Sequence, residues 1–293
     1  MTTKPLKLGL FGLNWGPCGQ PGHSRDLARL AESLGYDSVW ANEHVVLPSP
    51  RIASSPMDPA EEILDPLVHL AYLAAHTAEI RLATGVLVLP QRNPLLLAKQ
   101  LASLDQLADG RLIIGVGAGY LEPELTALGV PMAERARRTE EYLSAIEALW
   151  TQPGPVEFDG DLTHFAGIDA HPRPVQTPTP PIVIGGHSRA ALSRATRRGN
   201  GWYGYRLRTQ EVADTLAALD TMSQTRPSHL GDLDINVTPR DAVTPELLAE
   251  LADLGVNRVI VSVGNESPDD AKTTIETAAA ARELAWPSRI TNT

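Results

Sequence analysis

Strand-like and helix-like stretches alternate along this chain through eight repeats, and that alternation leaves few folds open. Short apolar, β-branched runs read as strands at 6–12, 37–45, 81–90, 111–116, 181–185, 201–205, 233–238 and 258–263. Between them the periodicity turns helical, at 24–34, 65–77, 93–108, 133–150, 188–198, 209–222, 244–254 and 268–284. Some helices open on a capping residue followed by proline, as at Asp65-Pro66 and Asn93-Pro94. There the side chain can accept unpaired amides, and proline's missing N–H is one the helix would not have used. Eight such units in 293 residues fit an α/β fold of the (β/α)8 TIM-barrel type, a single domain over residues 1–293. A doubly wound sheet is the competing arrangement. Its glycine fingerprint should follow the first strand, whereas Gly115-Val-Gly-Ala-Gly-Tyr120 follows the fourth and Glu122 stands where the third glycine belongs. Residues 151–180, rich in Pro, Gly and Asp, are too irregular for a barrel unit. They read as an insertion between the fourth and fifth units that covers the active-site face.

Charge narrows the partners. Lys and Arg total 25 against 35 Asp and Glu, a net charge of −10, which argues against nucleic acid and against an anionic membrane surface. The single cysteine, Cys18, cannot close an intramolecular disulfide, and a reducing cytoplasm is the simplest setting. No signal-like apolar core opens the chain, and no apolar run reaches the ~20 residues of a spanning helix. The expectation is a cytoplasmic enzyme acting on a small-molecule substrate.

In such barrels chemistry gathers at the C-terminal ends of the strands. The second strand ends in Asn42-Glu43-His44, a carboxylate beside an imidazole, which suits proton transfer near neutral pH. Asn14, Gly85-Val86, Gly117-Ala118-Gly119, Trp202-Tyr203 and Asn236 mark other strand ends. The glycines could simply make tight turns, as suits Gly119, or could let a flat ligand approach the backbone; Gly85, inside a strand, marks a bulge or a close backbone approach. Gly185-Gly186-His187-Ser188-Arg189 runs from a strand into a helix N-terminus. Free amides, the positive end of the helix dipole and a guanidinium together make a phosphate site. Ser188 as an ordinary N-cap is the plainer use. Three arginines in Arg135-Ala-Arg-Arg138 read first as a solvated helix face and second as a clamp for an acidic ligand tail. Asp65, His69, Tyr72 and His76 share a helix face, but Asp65 is spent on capping and no metal is expected there.

Four stretches resemble the bacterial luciferase-like monooxygenase family: 35–44, 82–94, 109–119 and 181–186. The similarity extends from about Leu6 to Trp286 and is greatest to the branch of oxidoreductases that use the deazaflavin coenzyme F420. The resemblance implies a (β/α)8 barrel that binds coenzyme F420, with FMN and oxygen as the alternative chemistry of a flavin monooxygenase. It implies a third-strand bulge at Gly85-Val86 with a non-prolyl cis peptide, pressing on the deazaflavin ring. His44 falls beside the redox face of the cofactor, and Glu43, where relatives more often carry Asp, would orient or charge it. Asn14, Asn42 and Gly117-Ala118-Gly119 would line the ring, and Gly185, Gly186, His187, Ser188 and Arg189 would hold the phosphate. One sugar-phosphate-oxidising branch has a glutamate directly after the glycines; this chain has Tyr120 there and departs from that branch. Relatives commonly dimerise, so a homodimer is expected.

Overall fold

The computed structural model describes residues 5–287. Eight parallel strands close into a barrel: β1 (Lys7–Phe11), β2 (Ser38–Ala41), β3 (Arg81–Thr84) continued by β4 (Leu87–Val88), β5 (Leu112–Gly117), β8 (Ile182–Gly185), β9 (Gly201–Leu207), β10 (Asp234–Pro239) and β11 (Arg258–Ser262). Each pairs with its successor, and β11 returns to β1 with Lys7 opposite Arg258 and Phe11 opposite Ser262. The outer ring comprises α1 (Pro21–Ser33), α2 (Pro66–Ala74), α3 (Pro94–Leu107), α5 (Arg135–Thr151), α6 (Arg189–Arg198), α7 (Thr209–Ser223), α8 (Pro245–Asp253) and α9 (Pro268–Ala285). The expected barrel is what the chain forms. Among the described residues no helix is long and apolar enough to cross a membrane.

Side-chain alternation explains the barrel's two cores. Leu8, Leu10, Leu82, Leu112, Ile114, Ile182, Ile184, Val259 and Val261 face outward into the layer beneath the helices. Their neighbours Phe11, Trp40, Ala83, Ile113, Val183, Tyr203 and Ile260 point inward and fill the lumen. At the N-terminal end the lumen is plugged by Arg258, only 1% exposed. Its guanidinium binds Asp37 Oδ2 at 2.7 Å and Asp234 Oδ2 at 2.8 Å, and it also reaches Asn236 Oδ1. A charge buried so deeply is tolerated because two carboxylates and an amide surround it. This places Asn236 at the closed bottom of the barrel, not among the site residues.

The third strand is broken. It takes five residues, Ala83 to Leu87, to cover what β5 covers in four, Ile113 to Val116, so one residue bulges at Gly85-Val86. The peptide between them is cis, as the resemblance implied. Thr84 repairs the interrupted ladder, its hydroxyl donating to Gly115 O at 2.7 Å and accepting from Gly115 N at 2.8 Å.

The insertion lies elsewhere than expected. It contains a hairpin, β6 (Val156–Asp159) with β7 (His164–Ile168), which packs on the outer core beside α5. The following segment is tied down by Asp105 Oδ2, which accepts from Val175 N at 2.8 Å, and Gln176 reaches Leu112 O at 2.8 Å. Leu112 opens β5, so these contacts are at the N-terminal end of the barrel. The reason is topological: a strand-to-helix connection sits at the C-terminal mouth, but a helix-to-strand connection sits at the opposite end. The insertion follows α5 and precedes β8, so it covers the outside and the bottom of the barrel.

Candidate active site

The floor of the barrel mouth is Val86, raised by the bulge. A Cβ on Gly117 would lie 2.9 Å from Val86 Cγ2, and one on Gly185 2.8 Å from Val86 Cγ1. On Gly115 it would lie 1.9 Å from the Thr84 carbonyl oxygen. The glycines of β5 and β8 therefore form a cradle for the bulge itself, and Gly119 does the same for Val88 at 2.6 Å. The atoms nearest the missing side chains of Gly117 and Gly119 are thus those of Val86 and Val88. Ala118, between them, is half-buried. Phe11 and Tyr205 continue the floor with ring centroids 5.3 Å apart.

One wall carries a histidine–carboxylate pair. His44 Nδ1 lies 2.9 Å from Glu124 Oε2, and the other carboxylate oxygen of Glu124 accepts from the Val45 amide at 2.6 Å. Glu124 is 2% exposed, so this short loop-to-helix clasp is dry. A carboxylate facing Nδ1 takes the Nδ1–H bond and leaves Nε2 as the working nitrogen. Tyr120 stands edge-on to the imidazole at 6.2 Å.

Glu43, expected to orient His44, does not touch it. Successive residues of an extended segment point to opposite faces, and Glu43 turns outward. It is 4% exposed, with Oε2 accepting from Val88 N at 2.6 Å and Oε1 from Arg92 Nε at 2.7 Å. Burial raises its pKa, against the pull of Arg92 and the Val88 amide. Arg92 also reaches Asp65 Oδ2 at 2.7 Å. This network fixes the end of β2 to the loop after the bulge and is a support for the site.

Asn14 is likewise committed: its Nδ2 donates to Asn42 O at 2.8 Å and Leu64 O at 2.9 Å, and its Oδ1 accepts from Asn42 N at 3.1 Å. It is fully buried and shapes the mouth. Asn42 is different. It follows Trp40 on the inward face, is 7% exposed, and its Oδ1 is buried without a partner. A buried unpaired acceptor costs about 1–3 kcal/mol, which a ligand N–H would recover.

Across the mouth, Gly186 to Arg189 are exposed at the start of α6. Ser188 caps the helix by accepting from Ala191 N at 3.2 Å. The His187 Nε2 accepts from the Tyr205 amide at 3.2 Å, and partial desolvation of the ring lowers its pKa. The amides opening the helix and the Arg189 guanidinium remain as the anion-binding elements. The arginines of α5 do not form a clamp, because Arg138 pairs with Glu134 at 2.8 Å and Arg135 donates to Met132 O. On α2, His69 Nε2 is 2.6 Å from Ser24 Oγ in the outer core and Asp65 holds Arg92. Among the described residues no group of three or more His, Cys, Asp or Glu is placed to hold a metal ion.

A model of the luciferase-like monooxygenase family matches residues 13–285. The chain belongs to this family. Luciferase-like barrels similar to it differ in what they use. An uncharacterised protein of Mycobacterium tuberculosis is 34% identical over 263 residues, covering 86% of this chain and 91% of the relative. The FMNH2-dependent dimethylsulfone monooxygenase of Pseudomonas putida is 34% identical over 184 residues, 62% of this chain and 47% of that one. The coenzyme F420-dependent tetrahydromethanopterin reductase of Methanopyrus kandleri superposes with a TM-score of 0.74 at 17% identity, covering 95% and 98% of the two chains, and shares the fold. The protein is thus an enzyme of a family that spans oxidoreductases and monooxygenases.

Two functional groups were missed in the sequence. Glu124 lies on α4 (Glu122–Ala127), a helix too short for its periodicity to register. Glu122-Pro123-Glu124, with proline and two carboxylates in a first turn, was its only local signal. The apolar pattern of the sixth strand ends at Tyr205, while the strand itself runs on through a bulge to Leu207.

Proposed function

We propose that the protein is an F420-dependent oxidoreductase that transfers a hydride between the deazaflavin coenzyme and a small organic substrate. The observation that carries this reading is the His44–Glu124 pair at the barrel mouth. Hydride transfer to or from an organic carbon is accompanied by a proton, and a buried carboxylate behind an imidazole is built to take or give one.

The residues present fit a flat, phosphate-bearing ring. Asn42 offers a buried acceptor in want of a donor, Val86 a raised apolar floor, and the start of α6 with Arg189 an open anion site. When bound, a deazaflavin supplies two-electron hydride chemistry. Val86, Phe11 and Tyr205 support the ring and exclude water beneath it. Ser188 caps α6 and keeps its first amides directed outward, where Arg189 adds charge. Glu124 holds the proton on Nδ1 of His44, so that Nε2 exchanges a proton with substrate. Glu43 keeps the end of β2 against the bulge through Val88 and Arg92, so His44 and Val86 stay in register.

The second reading keeps the barrel and replaces the coenzyme with reduced FMN, making the protein a monooxygenase; the dimethylsulfone monooxygenase relative favours it. Titration of the purified protein with coenzyme F420 and with FMN, read by quenching of tryptophan fluorescence, separates the two. Micromolar or tighter F420 binding with FMN much weaker is expected. The reverse preference would establish the monooxygenase reading instead.

A further inference from the structure

A cavity of about 510 Å³ opens from the mouth beside this floor. Tyr205, Ile260 and Ser262 border it at the barrel end, and it passes under the loops after β10 and β11 to the flank of α9. Its accessible apolar lining includes Trp15 and Tyr205, with Ile260 and Val263 buried behind the surface. Two exposed arginines, Arg206 and Arg240, line it as well. Neither is within salt-bridge distance of a carboxylate among the described residues, although Arg240 lies near enough to Glu211 to help lower its pKa.

The backbone goes out of its way to put Arg206 there. It has φ 55°, and the only other non-glycine residue with positive φ among the described residues is Asp109. Asp109 occupies an Asp-Gly turn, where a short polar side chain tolerates that conformation; a long arginine gains nothing comparable. Arg206 is the extra residue of a bulge, since Tyr205 lies opposite Thr238 and Leu207 opposite Pro239. The bulge returns Leu207 to the outer core and leaves Arg206 exposed at the cavity rim. Strain kept at a rim is a reason to look for a ligand there. The acidic residues of the lining, Asp241 and Glu266, do not neutralise this end. Glu266 accepts from the Thr274 hydroxyl at 3.2 Å, on the α9 side, and Asp241 is exposed to solvent.

We propose that this cavity seats the substrate and selects a molecule that carries a carboxylate on an apolar body. The carboxylate binds Arg206 and Arg240, and the apolar body lies along Trp15 and the Tyr205 ring. Anchored beside Tyr205, the carbons next to the carboxylate stay at the mouth, near the Val86 floor. What happens to the molecule there rests on the oxidoreductase reading; its binding does not.

Calorimetric titration of the full-length protein with hexanoate and benzoate, each against its amide, tests the selection. The acids should bind at least ten-fold more tightly than the amides, and Arg206→Gly and Arg240→Gln should each reduce that preference by about ten-fold. Glycine adopts φ 55° freely, so the unfolding temperature of Arg206→Gly should not fall, which separates a lost ligand group from a lost fold. Coenzyme F420 should bind both variants as it binds the parent. Equal binding of acids and amides, no binding of any of the four, or an intact preference in both variants would overturn the proposal. So would loss of F420 binding in the variants, which would assign these arginines to the coenzyme. An acid preference with neither F420 nor FMN bound would leave the carboxylate site standing and remove the oxidoreductase reading.

Discussion

Replacing Glu124 with glutamine keeps the side chain's length and its bond to the Val45 amide but removes the negative charge opposite His44. The carboxamide NH2 would then donate to Nδ1, moving the ring proton to Nε2 and leaving no proton acceptor at the mouth. Glu124 is 2% exposed and its bond to Nδ1 is 2.9 Å, so this is a charge-assisted hydrogen bond in a dry setting. Such a bond contributes about 1.5–3 kcal/mol, which corresponds to a loss of about 10- to 150-fold in turnover. Removing the imidazole itself, as His44→Ala, should cost about 10²–10⁴-fold. The two side chains act as one unit, so the double variant should fall no further than His44→Ala alone. The assay is turnover followed through the coenzyme's visible absorbance, with the ring tautomer read independently by nitrogen NMR. Full activity in Glu124→Gln, or losses that simply multiply in the double variant, would refute the pairing as the source of proton transfer.

Other outcomes follow from the supports. Gly115→Ala puts a methyl 1.9 Å from the Thr84 carbonyl oxygen and should destabilise the fold by about 3 kcal/mol in denaturant titration, since backbone must move; an unchanged midpoint would contradict the cradle. His69 is buried and its pKa is depressed by that burial from 6.5 to about 4. Between those values the unfolded chain binds a proton that the folded chain refuses. Unfolding free energy should therefore be complete above pH 6.5 and fall by about 3 kcal/mol towards pH 4, and His69→Gln should flatten that slope. Cys18 is buried with its thiol pushed up to about 11, so alkylation at pH 8 should be far slower in the native protein than in denaturant; rapid native labelling would show the first loop to be open.

The barrel was legible because strands buried on both faces and helices buried on one leave different periods, and eight repeats of the pair permit little else. The bulge was legible at Gly85 only as one of two uses of a glycine inside a strand, and its cis peptide only through the resemblance. Thr84-Gly85-Val86 reads as continuous strand, and nothing local reveals that Gly115, Gly117 and Gly185 lack side chains to make room for Val86. A glycine shows that something comes close, without saying whether it is ligand or chain. His44 was placed correctly at the mouth, but its partner was sought next door in sequence. Glu43 alternates away from it, and the carboxylate that serves it comes from 80 residues further on. The insertion was legible as irregular chain, while its position depended on which end of a helix it follows.

A crystal structure of the complex with coenzyme F420 tests the central claim most directly. The account predicts the deazaflavin ring on Val86, an N–H of the ring donating to Asn42 Oδ1, Nε2 of His44 facing the reacting carbon, and the phosphate on the first amides of α6 beside Arg189. A ring seated away from the Val86 bulge, or a phosphate held at another strand end, would contradict it.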